Sequence, residues 1–304
     1  MSVNGNVFYP KVLLVIYDPR IPSEGNRKLS HVLGWNDAGL LVESFIADLR
    51  KASHGICNYL IADRVELSDF PIKEDGFRYS ADGYLRSWRS GKGFHAPDWA
   101  DYDHILHETR AIEGVRAGSI DEVWLFAFPY GGFFESRMVG PGAFWCNAPP
   151  LSGYGDLERC FVVMGFNYER GVGEMLESYG HRAESILSYL YRGEIESSNL
   201  WKKFIQTNLS DPGEAEVGTI HFAPNSLQDY NWGNRNKVPS RCDNWYRFPE
   251  LTGQPRLVDC ADWGNGDIRE HHLWWFDHLP HFSGDYRGRS QNWWEYVIDA
   301  NTVP

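Results

Sequence analysis

Lys11-Val12-Leu13-Leu14-Val15-Ile16-Tyr17 is a short apolar run rich in branched side chains. It reads as a strand buried on both faces, because a half-exposed strand would alternate polar and apolar residues. Asp18-Pro19 ends it with a turn signal. Asp37 then caps a helix with Leu41, Phe45 and Leu49 on one stripe, closed by Gly55. A second strand follows around Asn58 to Ala62. Strand, helix, strand in that order predicts a right-handed crossover between parallel strands.

The same alternation continues along the chain. Asp69 to Trp99 reads as loop, with a short helix near Tyr84 to Arg89. Asp98 is expected to cap a helix carrying Tyr102, Ile105 and Leu106. Asp121 to Phe128 and Cys160 to Phe166 read as further strands, and Val217 to Phe222 as a fifth. Helical spacing runs over Arg170 to Tyr191, Leu200 to Thr207 and Ile268 to Leu279. Asp267 with Glu270 makes a capping box for the last of these, and Pro280 ends it.

The fold class expected is α/β, an open, mostly parallel, doubly wound sheet. An incomplete or modified β/α barrel is the alternative, although about five strands are too few to close eight. One domain over 1–304 is expected, with a sheet-and-helix core at 1–222. A loop-rich extension rich in Trp, Asn and Gly, 223–304, packs on it. Trp232-Gly233-Asn234 and Trp263-Gly264-Asn265 read there as turns that present indoles at a surface.

Composition narrows the function. The chain has 304 residues, 42% of them hydrophobic and 23% charged, which fits an ordinary globular protein. Its net charge of -12 argues against nucleic acid as a partner, since phosphate backbones need a basic surface. No apolar run reaches the roughly 20 residues that span a bilayer, so no membrane partner is expected. No basic-then-apolar leader follows Met1, which fits a cytoplasmic protein or a secreted mature form equally. The five cysteines, Cys57, Cys146, Cys160, Cys242 and Cys260, lack the close pairing of a zinc ribbon. Cys242 and Cys260 are the pair to expect as a disulfide in an oxidising compartment. No phosphate-binding loop, dinucleotide fingerprint or nucleophile elbow occurs, so no nucleotide or flavin cofactor is supported.

In parallel sheets, ligands bind beyond the carboxyl ends of the strands. The polar residues expected there are Asp18, then Tyr130 and Glu135, then Asn167, Glu169 and Arg170, then His221. Glu135 and Glu169 form the leading catalytic pair, with Asp18 and His181 in support. Two carboxylates flanking a glycosidic bond divide acid and nucleophile or base roles. A carbohydrate hydrolase follows, with a glycan or other small polar substrate, bound by Asn167 and Arg170 and stacked on Trp35, Tyr130, Trp232 and Trp263.

A second reading uses a divalent metal as cofactor. Arg170, Glu174, Glu177, His181 and Glu184 fall on one helical stripe, opposite an apolar face from Met175 to Leu190. His181 with Glu177 or Glu184, and His221 as a distal ligand, is a ligand set for an amide or ester hydrolase. Glu169 or Glu135 would be its base. A third reading is a non-catalytic glycan- or protein-binding domain. His271, His272, His278 and His281 make a further cluster suited to metal or proton chemistry. The runs Asp121 to Pro141, Gly165 to Ser185 and His271 to His281 resemble bacterial and fungal proteins of unassigned function. That resemblance implies no activity, cofactor or catalytic residue.

Overall fold

The computed structural model describes residues 6–304. The chain divides into two compact units. The first is Pro10–Ser44 with Tyr59–Gly171; the second takes in the chain up to Tyr9, Phe45–Asn58 and Val172–Pro304. The change of composition at 222/223 falls inside the second unit.

The first unit holds β1 (Lys11–Tyr17), the short hairpin β2 (Arg20–Ile21) and β3 (Arg27–Lys28), β4 (Leu60–Leu67), β5 (Glu122–Ala127), β6 (Ser136–Val139) and β7 (Phe161–Asn167). Five of these form one open sheet in the order β4-β1-β5-β7-β6. β1, β4, β5 and β7 are mutually parallel, and β6 alone runs antiparallel, against β7. The fold is thus the open α/β sheet expected, with no closed barrel. The central strands β1, β5 and β7 are buried almost throughout, which is why they read as unbroken apolar runs. β4 lies at the edge and is mostly exposed, and Asp63, Arg64 and Glu66 keep that edge from pairing further.

Helix α1 (Leu29–Leu33) follows the hairpin, and α2 (Ala38–Ala52) begins where Asp37 Oδ1 accepts the Leu40 amide at 3.0 Å. Helices α3 (Ala81–Ser90), α4 (Tyr102–Glu108) and α5 (Ala111–Arg116) precede β5. Asp101, not Asp98, caps α4, accepting the His104 amide at 2.9 Å. Asp98 is instead bound by Lys73, a lysine that is almost wholly buried. Lys73 Nζ donates to Asp98 Oδ1 at 2.6 Å, to the Asp98 carbonyl at 3.0 Å and to the Tyr130 carbonyl at 2.7 Å. All three ammonium protons are used, which is what burying this charge requires.

Gly132 makes that clamp possible. Its φ is +88°, and a Cβ there would overlap the Asp98 carbonyl oxygen and lie 2.7 Å from Lys73 Nζ. Gly132→Ala is therefore expected to destabilise the first unit by about 1–3 kcal/mol, from strain and overpacking together. Urea unfolding of the two proteins checks this, and an unchanged midpoint would show that the loop relaxes freely.

The second unit is built on α6 (Val172–Leu190), with α7 (Leu200–Phe204), the pair β8 (Val238–Ser240) and β9 (Arg256–Val258), α8 (Ile268–Asp277), the pair β10 (His281–Tyr286) and β11 (Arg289–Asn292), and α9 (Trp293–Ile298). Its core is aromatic. Phe204, Trp245, Trp275 and Trp293 are buried and meet edge to face or tilted, with Phe204 4.9 to 5.7 Å from the other three. α6 and α8 pack closely because Gly173 has no side chain; a Cβ there would stand 2.5 Å from Ile268 Cγ2.

Three expectations need correction in this unit. Val217–Phe222 is not a strand: Gly218 has φ +90° and Thr219 closes a tight turn with Phe222, so the branched residues sit on irregular backbone. The two Trp-Gly-Asn triplets do turn the chain, but they bury their indoles, Trp232 to 5% and Trp263 to 1% exposure. Cys242 and Cys260 are free, buried thiols rather than a disulfide. Among the described residues no helix is long and apolar enough to cross a membrane.

Candidate metal centre

α6 presents Glu177, His181 and Glu184 along one stripe, while Met175, Leu176, Tyr179, Ala183, Ile186, Leu187 and Leu190 are buried on the other. Arg170 precedes the helix and lies exposed in the first unit, 3.9 Å from Glu169, so it does not belong to that stripe. Gly180 sits on α6 where the Thr219–Phe222 turn approaches. A Cβ there would lie 2.5 Å from two atoms of Ile220. That missing side chain lets the turn press on the helix, and the next residue, His221, reaches Glu177 and His181.

The result is a convergence of three electron-pair donors. His181 Nε2 lies 3.0 Å from His221 Nε2, and His221 Nε2 lies 2.9 Å from Glu177 Oε1. The third edge, His181 Nε2 to Glu177 Oε1, is 3.9 Å. Each outer nitrogen faces a carboxylate. His181 Nδ1 is 2.9 Å from Glu184 Oε2, and His221 Nδ1 is 3.5 Å from Asp229 Oδ1. Glu184 is itself held, since its Oε1 accepts the Ile220 amide at 2.9 Å. Carboxylates on both Nδ1 atoms favour the Nδ1–H tautomers, and this turns two Nε2 lone pairs and a carboxylate oxygen toward one point. Such an arrangement needs a positive particle at its centre, either a proton or a metal cation.

The dimensions fit a metal. Ligand atoms at about 2.0–2.1 Å from a tetrahedral ion stand roughly 3.3–3.4 Å apart, a value that the three observed edges bracket. Burial raises the Glu177 carboxyl, but the His221 hydrogen bond and the neighbouring imidazoles of His272 and His181 outweigh it and hold the group below the usual carboxylate range. All three side chains keep some exposure, between 12% and 25%. The Tyr230 ring, 55% exposed, stands 4.5 Å from the His221 ring on that side.

Sequence reasoning missed His272 as part of this assembly. Its buried ring places Nδ1 3.0 Å from the Gly173 carbonyl and Nε2 3.2 Å from the Ile220 carbonyl. It thereby ties the start of α6 to the turn that carries His221. The only available signal was its membership of the histidine-rich run. The other members are also interior groups: His271, His278 and His281 are all buried, and His281 stacks on His54 at 3.7 Å.

The other expected site residues lie in the first unit, except Trp232 and Trp263. β1, β5 and β7 run the same way, so Asp18, Tyr130, Asn167 and Glu169 follow them at one edge of the sheet. β6 runs oppositely, so Glu135, just before it, comes to that edge as well; its carbonyl accepts the Gly165 amide at 3.0 Å. Asp18 is committed to structure, accepting the Ser30 amide at 3.0 Å and the Ser30 hydroxyl at 2.7 Å at the start of α1. The Glu135 carboxylate accepts from Asn147 Nδ2. Asn167 Oδ1 accepts the Glu169 amide at 2.9 Å. Trp35 packs against Trp88 and Tyr168, while Tyr130, 42% exposed, stacks on Phe94 at 3.5 Å. Trp232 and Trp263 are core residues and offer no face to a sugar. Exposed Trp99, stacked on Phe134 at 4.7 Å, went unnoticed in the sequence.

Comparison of the chain with protein-family models, with curated proteins and with solved structures finds no match.

Proposed function

We propose that this chain is a metal-dependent hydrolase of amide or ester bonds, working at Glu177, His181 and His221. The observation that supports it is the convergence of His181 Nε2, His221 Nε2 and Glu177 Oε1, with a carboxylate behind each imidazole. Two histidines and one carboxylate, with a further position left for water or substrate, is a ligand set that catalytic zinc sites use. A divalent cation held there supplies Lewis-acid polarisation of a carbonyl and a water that ionises near neutral pH. The residues do the positioning. Glu184 and Asp229 fix the two rings and raise their basicity, and His272 and Gly180 hold the His221 turn against α6. The Tyr230 ring forms a wall on the exposed side.

The test is to strip the protein with a chelator, reload it with Zn²⁺, Mn²⁺ or Co²⁺, and assay a panel of aryl esters and anilides. Elemental analysis should find bound metal, and hydrolysis should vanish with the chelator and return with the ion. Protein that binds no metal would remove this reading, and so would turnover of an organic substrate that needs iron and dioxygen instead of water.

A further inference from the structure

Among the described residues, two groups of three potential ligands converge, and the second contains sulfur: Cys242, Asp243 and His278. A ring nitrogen of His278, the Cys242 Sγ and an Asp243 carboxylate oxygen all lie within 4.8 Å of one another. Cys242 and His278 are buried, while the Asp243 side chain is 53% exposed, so one side opens to solvent. The imidazole is prepared for ligation. His278 Nδ1 lies 2.7 Å from the Trp274 carbonyl one turn back in α8, and donating its proton there leaves the lone pair on Nε2. That Nε2 is buried and has no hydrogen-bond partner. An orphaned acceptor in the interior is costly, and a bound ligand would satisfy it. The Trp274 and Tyr246 rings, 4.3 and 4.4 Å from His278, close the apolar side.

We propose that Cys242, Asp243 and His278 form a second site for a thiophilic divalent cation of the Zn²⁺ class. The site takes the ion as a thiolate, the thiol proton passing to solvent as the metal–sulfur bond forms. Sulfur, imidazole and carboxylate are the donors that suit zinc, and solvent at the Asp243 side completes the coordination. Arg256 supports the charge: it grips Asp243 through Nε at 2.8 Å and Nη2 at 3.1 Å, and Nη2 lies 4.0 Å from Cys242 Sγ. The guanidinium thus flanks the anionic pair. An ion here joins the 3₁₀ helix Cys242–Arg247 to the end of α8. Its role is a clamp that stabilises this part of the second unit by binding only the folded chain.

Cobalt(II) tests this separately from the Glu177 site, because only a sulfur ligand gives the thiolate-to-cobalt charge-transfer band in the near ultraviolet. The metal-stripped full chain is titrated with Co²⁺ in a thiol-free reductant, alongside the double variant His181→Asn/His221→Asn. The band is expected in both proteins, with a rise in melting temperature on loading, and is expected to vanish in Cys242→Ser but persist in Cys260→Ser. Cobalt that binds the folded wild-type chain without the band overturns the proposal, as does a failure to bind cobalt at all or a band that survives Cys242→Ser. Should Cys242→Ser fail to fold, Asp243→Asn decides at an exposed position. It is expected to weaken cobalt binding, read from the same band, at least about tenfold, and an unchanged affinity overturns the site.

Discussion

Glu177→Gln should cost the protein its metal and its hydrolytic activity while leaving the fold in place. The amide keeps the shape of the carboxylate and loses its charge, so one of three converging anionic or lone-pair donors becomes a weak ligand. Loss of a group that merely orients a ligand costs 10–100-fold in affinity, and loss of a ligand itself is expected to exceed about 100-fold. Activity at limiting metal should fall in parallel, and at saturating metal it should still fall, since the ion's charge and position both change. The metal-free protein should melt close to wild type, because the Glu177 side chain keeps some exposure and its substitution removes one hydrogen bond, worth about 1 kcal/mol. Calorimetric metal titration and initial rates on one ester check both parts. Glu135→Gln and Glu169→Gln belong in the same assay. Full activity in both, with none in Glu177→Gln, keeps the chemistry in the second unit. The reverse pattern would move it to the carboxylates at the sheet edge and restore a carbohydrate as the substrate to seek.

Acid should unfold this protein well before its carboxylates are neutralised. His272 and His278 are buried neutral, and burial, which penalises the cation, pushes each down to about 4. His271 is lowered as well, also by burial first. In the unfolded chain these rings titrate near the ordinary value of about 6.5. Between the two values the unfolded state holds more protons, so stability is complete above pH 6.5 and declines as pH falls toward 4. His272 and His278 each forfeit about 2 kcal/mol by pH 5, at 1.36 kcal/mol per unit. Those two rings alone amount to about 4 kcal/mol, close to the 5–15 kcal/mol that holds a typical protein folded, and His271 acts in the same direction. Glu216 opposes this, since burial raises its carboxyl and the folded state then gains a proton on acidification. One carboxyl does not offset three imidazoles. Urea midpoints measured from pH 7.5 to 4.5 should drop steeply below 6.5. A flat profile down to pH 5 would mean that water or alternative rotamers relieve the buried rings.

What the sequence revealed followed the strength of its local signals. β1, β5 and β7 were legible because a strand covered on both faces leaves an unbroken apolar run. β6 was not, because Ser136-Arg137-Met138-Val139 carries too short and mixed a pattern to stand out, and its pairing depends on β7 lying beside it. Val217–Phe222 has strand-like residues, but Gly218 and the Thr219 hydroxyl, which accepts the Phe222 amide at 3.0 Å, settle the backbone into a turn. The Glu177–His181 spacing was readable, since one helical turn fixes which side chains are neighbours. His221 reads as part of a strand, but no strand forms there; it reaches the site through the turn that Gly180 admits. Trp232 and Trp263 show the limit on aromatic residues. An indole suits a core and a sugar equally, and only the fold reveals that Trp263 Nε1 donates to the Trp232 carbonyl at 2.8 Å inside the protein.

The interleaving of the two units sets an order on synthesis. Everything the first unit needs has been synthesised once Gly171 is made, whereas Phe45–Asn58 belongs to a unit most of which is encoded later. At about 5–20 residues per second, those early residues wait roughly 12–50 s for Pro304 to be added. During that time Phe45, Leu49 and Ala52, which end up buried, lack Val172–Pro304, the larger part of their own unit. Neither unit is a continuous stretch of gene, so cutting the coding sequence at one point yields no independent second half. A nascent chain of this protein spends the later part of its translation with one unit complete and the apolar face of a helix waiting for the other.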